Sequence, residues 1–364
     1  MKKFIYQYQP NFDSKEAQSL YDYIMNGGWC TEYKKTNYFE NMLSEFIGVR
    51  HCIAVNNGTV ALAVSLMALG LSKGDEVIVP NLTMIATANA VLLAGGKPVL
   101  VDIEPETLCL DLNKALEAIT EKTKAIIYVS LNGRSGNLYK VRTLCEKQGL
   151  YLIEDAAQSL GSNYKGKRLG SFGHLGCFSF SPHKIVSTGQ GGAIVTNYSI
   201  LAKRIRRLKD FGRIKGGIDI HPRLGFNFKF TDIQAVVGIE QIKRLPERIR
   251  RKKEIFELYY HELNKIRGIR FIPTDLSNVT PWFVDIYLKN PNQLASFLME
   301  NNIATRRVYP PISKQKVYNL KKKFPVSEKF SRQGIWLPSS IILKNEEITY
   351  ICRKIRQFLT QEQR

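Results

Sequence analysis

Short apolar runs recur between about residues 50 and 197, and amphipathic segments separate several of them. The segments Thr59–Leu69 and Val141–Gln148 have the spacing of a helix, whereas the apolar runs have the length of buried strands. The predicted strands are Cys52–Val55, Val77–Val79, Pro98–Val101, Ala125–Val129, Leu150–Ile153, Gly176–Phe180 and Ala193–Val195. Strands that alternate with helices predict an α/β fold with a mostly parallel central sheet that helices cover on both faces.

The pattern changes after about residue 240. A long basic amphipathic helix is predicted from near Pro246 to Leu263, where it would bridge two domains. A strand-like segment, Trp282–Leu288, and helices over Gln293–Glu300 and Glu346–Leu359 follow it. We therefore expect a large α/β domain with an N-terminal arm over residues 1–245, and a small α+β domain over residues 246–364.

The composition is that of an ordinary globular protein, with 44% hydrophobic and 23% charged residues. The six cysteines are scattered without a CxxC pair, which predicts reduced thiols and a cytoplasmic protein. The first residues lack the apolar core of a signal peptide, and no apolar stretch has the length of a membrane span. The five histidines have no metal-ligand spacing, so no metal site is expected.

The net charge of +21 is high for a chain of 364 residues. Its basic runs, such as Lys203–Arg207 and Arg248–Lys253, are interleaved with apolar residues at helical spacing and lack aromatic residues for base stacking. This arrangement is typical of solvated helix faces and argues against a nucleic-acid partner. A positive field would also suit an anionic small molecule or an anionic membrane surface, and the sequence leaves the reason for the charge open.

The main candidate for chemistry is Lys184, which lies four residues after Phe180 and shortly before the glycine-rich segment Ser187–Gly192. Upstream, Asp155 follows another apolar run. Both residues stand just past a predicted strand, and ligands of parallel sheets bind at the carboxyl ends of the strands. Pyridoxal phosphate (PLP) requires a lysine amine for its Schiff base and a carboxylate that keeps its pyridine nitrogen protonated. The pair therefore predicts a PLP site.

Two further strand exits carry candidate cofactor contacts. Gly58 and Thr59 open a helix, where backbone N–H groups and a hydroxyl would suit a phosphate, although an ordinary N-cap explains the pattern as well. Met84 follows the next strand and would serve either as core packing or as an apolar cover over the cofactor ring.

The segment Gly225–Asp232 precedes a predicted helix. Thr231 or Asp232 makes a sufficient N-cap for this helix, so nothing in the segment requires a ligand.

Motifs of other enzyme classes are missing from the sequence. It has no G-x-S-x-G, and no G-x-G-x-x-G follows a strand and opens a helix, so a hydrolase or a Rossmann dehydrogenase is unsupported. His183 is adjacent to Lys184 and should point in another direction, so we interpret it as part of the wall or as solvent-facing.

Taken together, these segments resemble the DegT/DnrJ/EryC1/StrS family of PLP-dependent nucleotide-sugar aminotransferases. The resemblance runs almost end to end, from Gly28 to Pro338. Its most specific segments are Gly58–Leu62, Gly74–Pro80, Ile85–Ala90, Glu154–Gln158 and Phe178–Gly192. It implies the type I fold of PLP-dependent transferases, which is that of aspartate aminotransferase. Within the family the chain is most similar to the perosamine-synthetase-like branch.

The resemblance also implies the roles of single residues. Lys184 would form the Schiff base, Asp155 would pair with the pyridine nitrogen, and Gln158 would bond the phenolic oxygen of PLP. The implied phosphate contacts are Gly58, Thr59, Ser179 and, from the neighbouring subunit of a homodimer, Asn227, while Met84 would cover the ring. On the sugar-nucleotide side the implied contacts are Trp29, Lys229, Arg307 and Tyr309.

Some positions depart from the usual pattern of the family. Asn57 stands where serine is common, Met84 where an aromatic ring often stacks on PLP, and Lys229 where arginine is frequent. After Tyr309, the segment Pro310–Ser313 lacks the histidine that is often found two residues past the prolines. None of these departures removes the residues of the core chemistry.

The expected function is therefore transamination of a nucleotide-linked 4-keto-6-deoxyhexose to the 4-amino-4,6-dideoxy sugar, with L-glutamate as donor, for amino sugars of the O-antigen or lipopolysaccharide type. Alternatives are a 3-aminotransferase acting on a dTDP- or UDP-linked keto sugar, a PLP-dependent sugar dehydratase, and a regulatory protein with a PLP fold. Some dehydratase relatives have histidine at the Schiff-base position, whereas this chain has Lys184, so amination is favoured.

Overall fold

The computed structural model describes residues 4–362, and a seven-stranded sheet forms the centre of its larger part. The strands, numbered in chain order, are β1 (His51–Val55), β2 (Glu76–Pro80), β3 (Lys97–Val101), β4 (Thr123–Val129), β5 (Tyr151–Asp155), the separate hairpin β6 (Asn163–Tyr164) and β7 (Lys167–Arg168), then β8 (Leu175–Ser179) and β9 (Gly192–Thr196). The order in the sheet is β1-β9-β8-β5-β4-β2-β3, and only β9 runs against its neighbours. The seven predicted strands and the mostly parallel sheet are confirmed.

The strand ends that carry the candidate residues converge at one edge of this sheet. All residues of β2 and β9 are buried, as expected of strands that helices cover on both faces. Gly192, the first residue of β9, pairs with the last residues of both β1 and β8, Val55 and Ser179. A Cβ atom on Gly192 would lie 2.5 Å from the main chain of Asn57, so only glycine permits this close approach.

The helices are α1 (Ser14–Met25), α2 (Lys34–Ile47), α3 (Gly58–Ala68), α4 (Ala86–Leu93), α5 (Leu112–Glu117), α6 (Leu138–Lys147), α7 (Ser199–Lys209), α8 (Asp232–Lys243), α9 (Leu245–Leu263), α10 (Pro291–Glu300), α11 (Pro325–Gln333) and α12 (Asn345–Glu362). Helix α3 is apolar on almost all sides because it lies between the sheet and other helices, and Val60–Leu66 is buried throughout. Across residues 4–362, we find no helix with the length and apolar character needed to cross a membrane.

A second, three-stranded antiparallel sheet lies in the C-terminal region, residues 264–362. Its strands are β10 (Val284–Tyr287), β11 (Arg306–Arg307) and β12 (Gly334–Leu337), in the order β10-β12-β11. Helix α9 joins both parts, since Leu245 packs beside the large sheet whereas Ile255–Leu263 packs with the small one. The division between residues 245 and 246 therefore stays a proposal, because this helix is shared.

Buried polar contacts fix the C-terminal region against the large sheet. Arg134, just after β4, forms a bidentate ion pair with Asp285 of β10, with N–O distances of 2.9 and 2.8 Å. Both side chains are almost completely buried, and the Tyr287 hydroxyl donates to the same carboxylate at 2.8 Å. Beside them, the side-chain amide of Asn132 accepts from and donates to the main chain of Phe283. These bonds place the start of β10 next to the carboxyl edge of the large sheet.

Candidate active site

Lys184 lines a narrow cleft between the carboxyl edge of the large sheet and the segment that leads into β10. The lining residues are Ala157, Gln158, Leu160, Ser179, Lys184, Ile185, Thr280, Pro281 and Trp282. Lys184 Nζ lies 4.0 Å from the centre of the Trp282 ring. Burial lowers the pKa of Lys184 to about 8, although the Asp155 carboxylate opposes this effect. The amine is therefore unprotonated more often near neutral pH than an exposed lysine, as a nucleophile and proton carrier requires.

Asp155 ends β5, is buried, and acts through its charge on Lys184. Its carboxylate accepts hydrogen bonds from the Thr87 hydroxyl at 2.8 Å and from the Ala157 amide at 3.2 Å. Burial raises the pKa of Asp155, and these two bonds and the charge of Lys184 oppose the rise. A second cation beside Asp155 would stabilise its ionised form further, which is what a protonated pyridine nitrogen offers.

The neighbouring acid, Glu154, has a structural role on the other face of the same strand. Its carboxylate accepts hydrogen bonds from the backbone amides of Gly170, Phe172 and Gly173 at 2.6–2.8 Å. Burial raises the pKa of Glu154 to about 7, and these three bonds oppose the rise. Glu154 thus holds the loop before β8, while Asp155 contacts Thr87 and acts on Lys184.

Gln158 lies on the wall of the cleft, and a neighbouring residue fixes its amide group. The Gln158 side-chain oxygen accepts a hydrogen bond from the backbone N–H of Asn132 at 2.9 Å. Asn132 has a φ of 57°, in the left-handed region that asparagine tolerates better than most residues. With its oxygen engaged in this way, the amide NH₂ group of Gln158 remains available to donate to a bound molecule.

The start of α3 and the end of β8 form a cradle with the properties of a phosphate site. A Cβ atom on Gly58 would lie 2.8 Å from the Cβ of Ser179, so glycine is required for the two segments to touch. Asn57 caps the helix, and its side-chain oxygen accepts the Val60 N–H at 2.9 Å. In the described part of the chain, the N–H groups of Gly58 and Thr59 have no hydrogen-bond partner, which leaves them to an anion.

Met84 is exposed on the loop after β2, with 43% of its surface accessible. It therefore does not serve as core packing, the first of its two predicted roles, and its role as a cover of the cofactor stays a prediction. Trp29 and Asn227 are exposed as well and lie outside the lining of the cleft. Lys229 forms an ion pair with Asp210, with an N–O distance of 3.0 Å.

The two adjacent arginines of β11 have different environments. The guanidinium of Arg307 donates to the carbonyl oxygens of Gly334, Ser331 and Arg332 at 2.6–2.9 Å, so it fixes the end of α11 to the small sheet. Arg306 is exposed, lies 5.6 Å from the ring of Trp336, and acts through its charge on Lys184. Contact of Arg307 with substrate stays a prediction, but the geometry favours Arg306 for that role.

Trp282 lines the cleft, and Tyr309 contacts the same neighbouring ring, Trp336. Tyr309 is buried, and its ring meets that of Trp336 edge-on with a centroid distance of 4.8 Å. Trp282 also meets Trp336, at 5.6 Å, and stacks over the amine of Lys184. The local sequence pattern does not point to Trp282 or Arg306, since neither follows a predicted strand of the large sheet.

The residues of the cleft fit PLP. The Gly58–Ser179 cradle offers free backbone donors for the phosphate, Asp155 offers a buried carboxylate for the ring nitrogen, and Lys184 offers an amine with a lowered pKa. Gln158 lies on the same wall and could donate to the phenolic oxygen. The role of each residue in holding PLP stays a prediction, and the donor set as a whole matches the chemistry of the group.

Comparison with known proteins extends these observations. GDP-perosamine synthase of Escherichia coli O157:H7 is 36% identical over 99% of this chain and 100% of its own length. The UDP-2-acetamido-2-deoxy-3-oxo-D-glucuronate aminotransferase of Pseudomonas aeruginosa is 37% identical over 86% of this chain and 88% of its own. Among solved structures, Spr1654 of Streptococcus pneumoniae in its PMP form superposes with a TM-score of 0.92 and 26% identity, covering 100% of this chain and 99% of the other.

The family pattern of the DegT/DnrJ/EryC1/StrS aminotransferases matches residues 11–356, which is nearly the whole chain. The expected type I fold and the expected enzyme class are therefore confirmed. The chain belongs to the DegT/DnrJ/EryC1/StrS family of aminotransferases, and pyridoxal phosphate is its cofactor.

Proposed function

We propose that this enzyme transfers an amino group from L-glutamate to C4 of a nucleotide-linked 4-keto-6-deoxyhexose, and that the nucleotide is GDP. The main support is the end-to-end likeness to GDP-perosamine synthase at 36% identity, combined with a cleft lined by Lys184 and Ser179, the acid Asp155 that acts on this lysine, and the glycine start of α3 against Ser179. The product would be a 4-amino-4,6-dideoxy sugar for the biosynthesis of glycans of the O-antigen type.

The chain's own residues supply the proton transfers. Bound PLP would act as the electron sink that makes the donor's α-hydrogen acidic. Lys184 Nζ accepts this proton, because its amine is in a cleft of low polarity and is partly unprotonated near neutral pH. The same nitrogen returns a proton to C4 of the sugar in the second half of the reaction. Trp282 covers the amine and limits the access of water to it.

A homodimer would bring the distant predicted contacts to the cleft. Residues 21–38 expose several large apolar side chains, namely Tyr21, Ile24, Met25, Trp29, Tyr33 and Tyr38. A second stretch exposes Ile214, Ile218, Ile220 and Leu224. Exposed apolar surface of this extent is typical of an interface. We propose that a second copy covers it and that Asn227, Trp29 and Lys229 reach the cleft of the neighbouring subunit.

The donor carboxylate would meet Arg306. The carboxylate of an α-amino acid is attached to the carbon that loses its proton to Lys184, so a cation near Lys184 suits it. Arg306 acts electrostatically on Lys184, and within the described residues no carboxylate pairs with its guanidinium. The guanidinium of Arg306 lies 5.8 Å from the Tyr309 ring and 5.6 Å from the Trp336 ring.

Arg306→Gln is expected to raise the KM for glutamate by about 10- to 100-fold, the equivalent of one hydrogen-bonded charge pair. The KM for the keto sugar should change little. Steady-state kinetics with each substrate varied in turn would measure both values. A rise in the KM for the sugar alone would show that Arg306 binds the nucleotide phosphates instead.

Arg307→Gln provides the matched control for Arg306→Gln. It removes donors from carbonyl groups at the end of α11, so we expect a loss of stability of about 1–3 kcal/mol, seen in denaturant unfolding. The KM for glutamate should stay near the wild-type value. If Arg307→Gln were to raise that KM as strongly as Arg306→Gln, the assignment to Arg306 would be wrong.

The first experiment on the function is a visible absorption spectrum of the purified protein before and after excess glutamate. The band of the bound cofactor should move to shorter wavelength, and GDP-4-keto-6-deoxymannose should restore it. Mass spectrometry with ¹⁵N-glutamate and NMR of the product would then locate the nitrogen. If glutamate leaves the absorption band unchanged and the sugar loses water or ammonia, the enzyme is a dehydratase.

A second candidate is amination at C3 of a UDP- or dTDP-linked keto sugar. The relative from Pseudomonas aeruginosa, whose name specifies a 3-oxo sugar linked to UDP, favours it. Restoration of the band by such a 3-keto sugar, and not by the GDP-linked 4-keto sugar, would select this candidate.

A further inference from the structure

Three successive carbonyl groups of the Lys184 turn are each held by a different side chain. The His183 carbonyl accepts a hydrogen bond from Trp282 Nε1 at 2.7 Å, and the Lys184 carbonyl accepts one from the Tyr8 hydroxyl at 3.0 Å. The Ile185 carbonyl accepts one from Arg248 at 2.9 Å. The main chain on both sides of the reactive residue is thus fixed by contacts that come from outside the turn.

The three donors belong to separate parts of the molecule. Trp282 precedes β10 in the C-terminal region, and Arg248 lies on α9. Tyr8 lies on the N-terminal arm, residues 4–13, which precedes the first helix. Both Arg248 and Trp282 are more than 90% buried, so each bond is shielded from competing water.

The N-terminal arm is itself attached to the C-terminal region. The amide of Ile5 donates to the Asn302 carbonyl at 2.8 Å. The carbonyl of Gln7 accepts from the Ser339 amide at 3.0 Å, and that of Gln9 accepts from the Ser340 hydroxyl at 2.7 Å. These bonds stand on both sides of Tyr8 along the arm. The position of the Tyr8 hydroxyl therefore depends on where the C-terminal region lies.

We propose that Tyr8 and Trp282 are positioning residues, which hold the turn of Lys184 in place and make its position depend on the docked C-terminal region. Neither residue needs to touch the reacting atoms through these bonds. Each acts on the main chain that carries Lys184, and the arm is the part that transmits the position of the C-terminal region to the turn.

The expected consequence concerns the amine of Lys184. A turn that is held at three carbonyls keeps this amine in the cleft, where burial lowers its pKa to about 8. If one bond is lost, the turn can relax towards solvent, where the protonated amine is more stable. The pKa of Lys184 should then rise, and the fraction of unprotonated amine between pH 8 and 10 should fall.

Other charged groups near the turn stay unchanged in the test variant. Asp155 and Arg306 act on Lys184, and the variant alters neither. Arg248 acts on Tyr8, and Lys252 Nζ lies 5.7 Å from the Tyr8 ring. The ring of His183 also faces that of Tyr8, at 5.6 Å. Replacement of tyrosine by phenylalanine keeps these ring contacts and removes only the hydroxyl.

The test is competitive acetylation of the full-length protein freed of cofactor, at a series of pH values, read by peptide mass spectrometry. The exposed Lys203 serves as the internal standard in each sample. Tyr8→Phe should move the midpoint for Lys184 upward by about 0.5 to 1 pH unit, the scale of one hydrogen bond. Tyr6→Phe removes a hydroxyl from the same arm that, within residues 4–362, has no hydrogen-bond partner, and should leave the midpoint unchanged.

Trp282→Phe gives a second reading, since it keeps a ring beside Lys184 but loses the donor to the His183 carbonyl. Upward shifts in both variants support the proposal. If only Trp282→Phe shifts the midpoint, then Tyr8 and the N-terminal arm do not position the turn. Unchanged midpoints in both folded variants would overturn the proposal. The proposal concerns the same site as the proposed function, but this readout needs neither cofactor nor substrate, so the two can fail separately.

Discussion

Lys184→Ala is expected to lower kcat for amino transfer by about 10²- to 10⁴-fold, the range for loss of a positioned general acid–base group. The reason is that the Lys184 amine is the proton carrier of the cleft. Burial lowers its pKa to about 8, and it lies near Asp155 and 4.0 Å from the centre of the Trp282 ring. The measurement is the rate of amino sugar formation from glutamate and the keto sugar. The visible band of the protein with added PLP should also change, since its link to Lys184 is lost.

The matched control for Lys184→Ala is His183→Gln at the adjacent position. The His183 side chain is exposed; its backbone carbonyl accepts the hydrogen bond from Trp282, and its ring contacts only the ring of Tyr8, at 5.6 Å, among the described residues. We expect this variant to retain most of the activity and the visible band. Comparable losses in the two variants would show that the turn, and not the Lys184 amine, limits the rate.

Asp285→Leu is expected to reduce the free energy of unfolding by about 3–5 kcal/mol, as when one partner of a buried ion pair is removed. Arg134 would keep its charge in a site where its side chain is only 3% exposed. The Tyr287 hydroxyl would also lose its acceptor. Denaturant-induced unfolding, followed by fluorescence or circular dichroism, would measure the loss.

Two further variants test that explanation. Arg134→Met combined with Asp285→Leu removes both charges, so it should recover much of the lost stability. Glu146→Gln breaks an exposed ion pair with Arg142 and should cost about 1 kcal/mol or less. A double variant no more stable than Asp285→Leu would show that shape, and not the unpaired charge, dominates the loss.

Much of the large sheet could be predicted because its strands are buried on both faces. Such strands leave continuous apolar runs in the sequence, as in β2 and β9. The same reasoning placed Asp155 and Lys184 at one edge, since each follows a strand whose carboxyl end lies there. The pattern could not tell Glu154 from Asp155 by chemistry, but alternation along β5 places the two carboxylates on opposite faces.

The rest of the site depends on contacts that local pattern does not encode. Arg306 and Arg307 are chemically identical neighbours, and a shift of one residue in register would exchange their roles. Trp282 and Tyr8 reach Lys184 from positions 98 residues after it and 176 residues before it, as only the folded chain shows. Helix α9 was predicted to bridge two domains, but its one continuous amphipathic pattern could not indicate which of its residues pack with which sheet.

The contacts of the N-terminal arm have a consequence for the order of events on the ribosome. The arm is made well before its partners, which include Asn302, Ser339 and Ser340. During synthesis the strands of the large sheet can pair while the arm is still without these partners. The contacts that hold the arm on both sides of Tyr8 can therefore form only after residues 302–340 have been synthesised, so the Lys184 turn gains this support later than the strands around it.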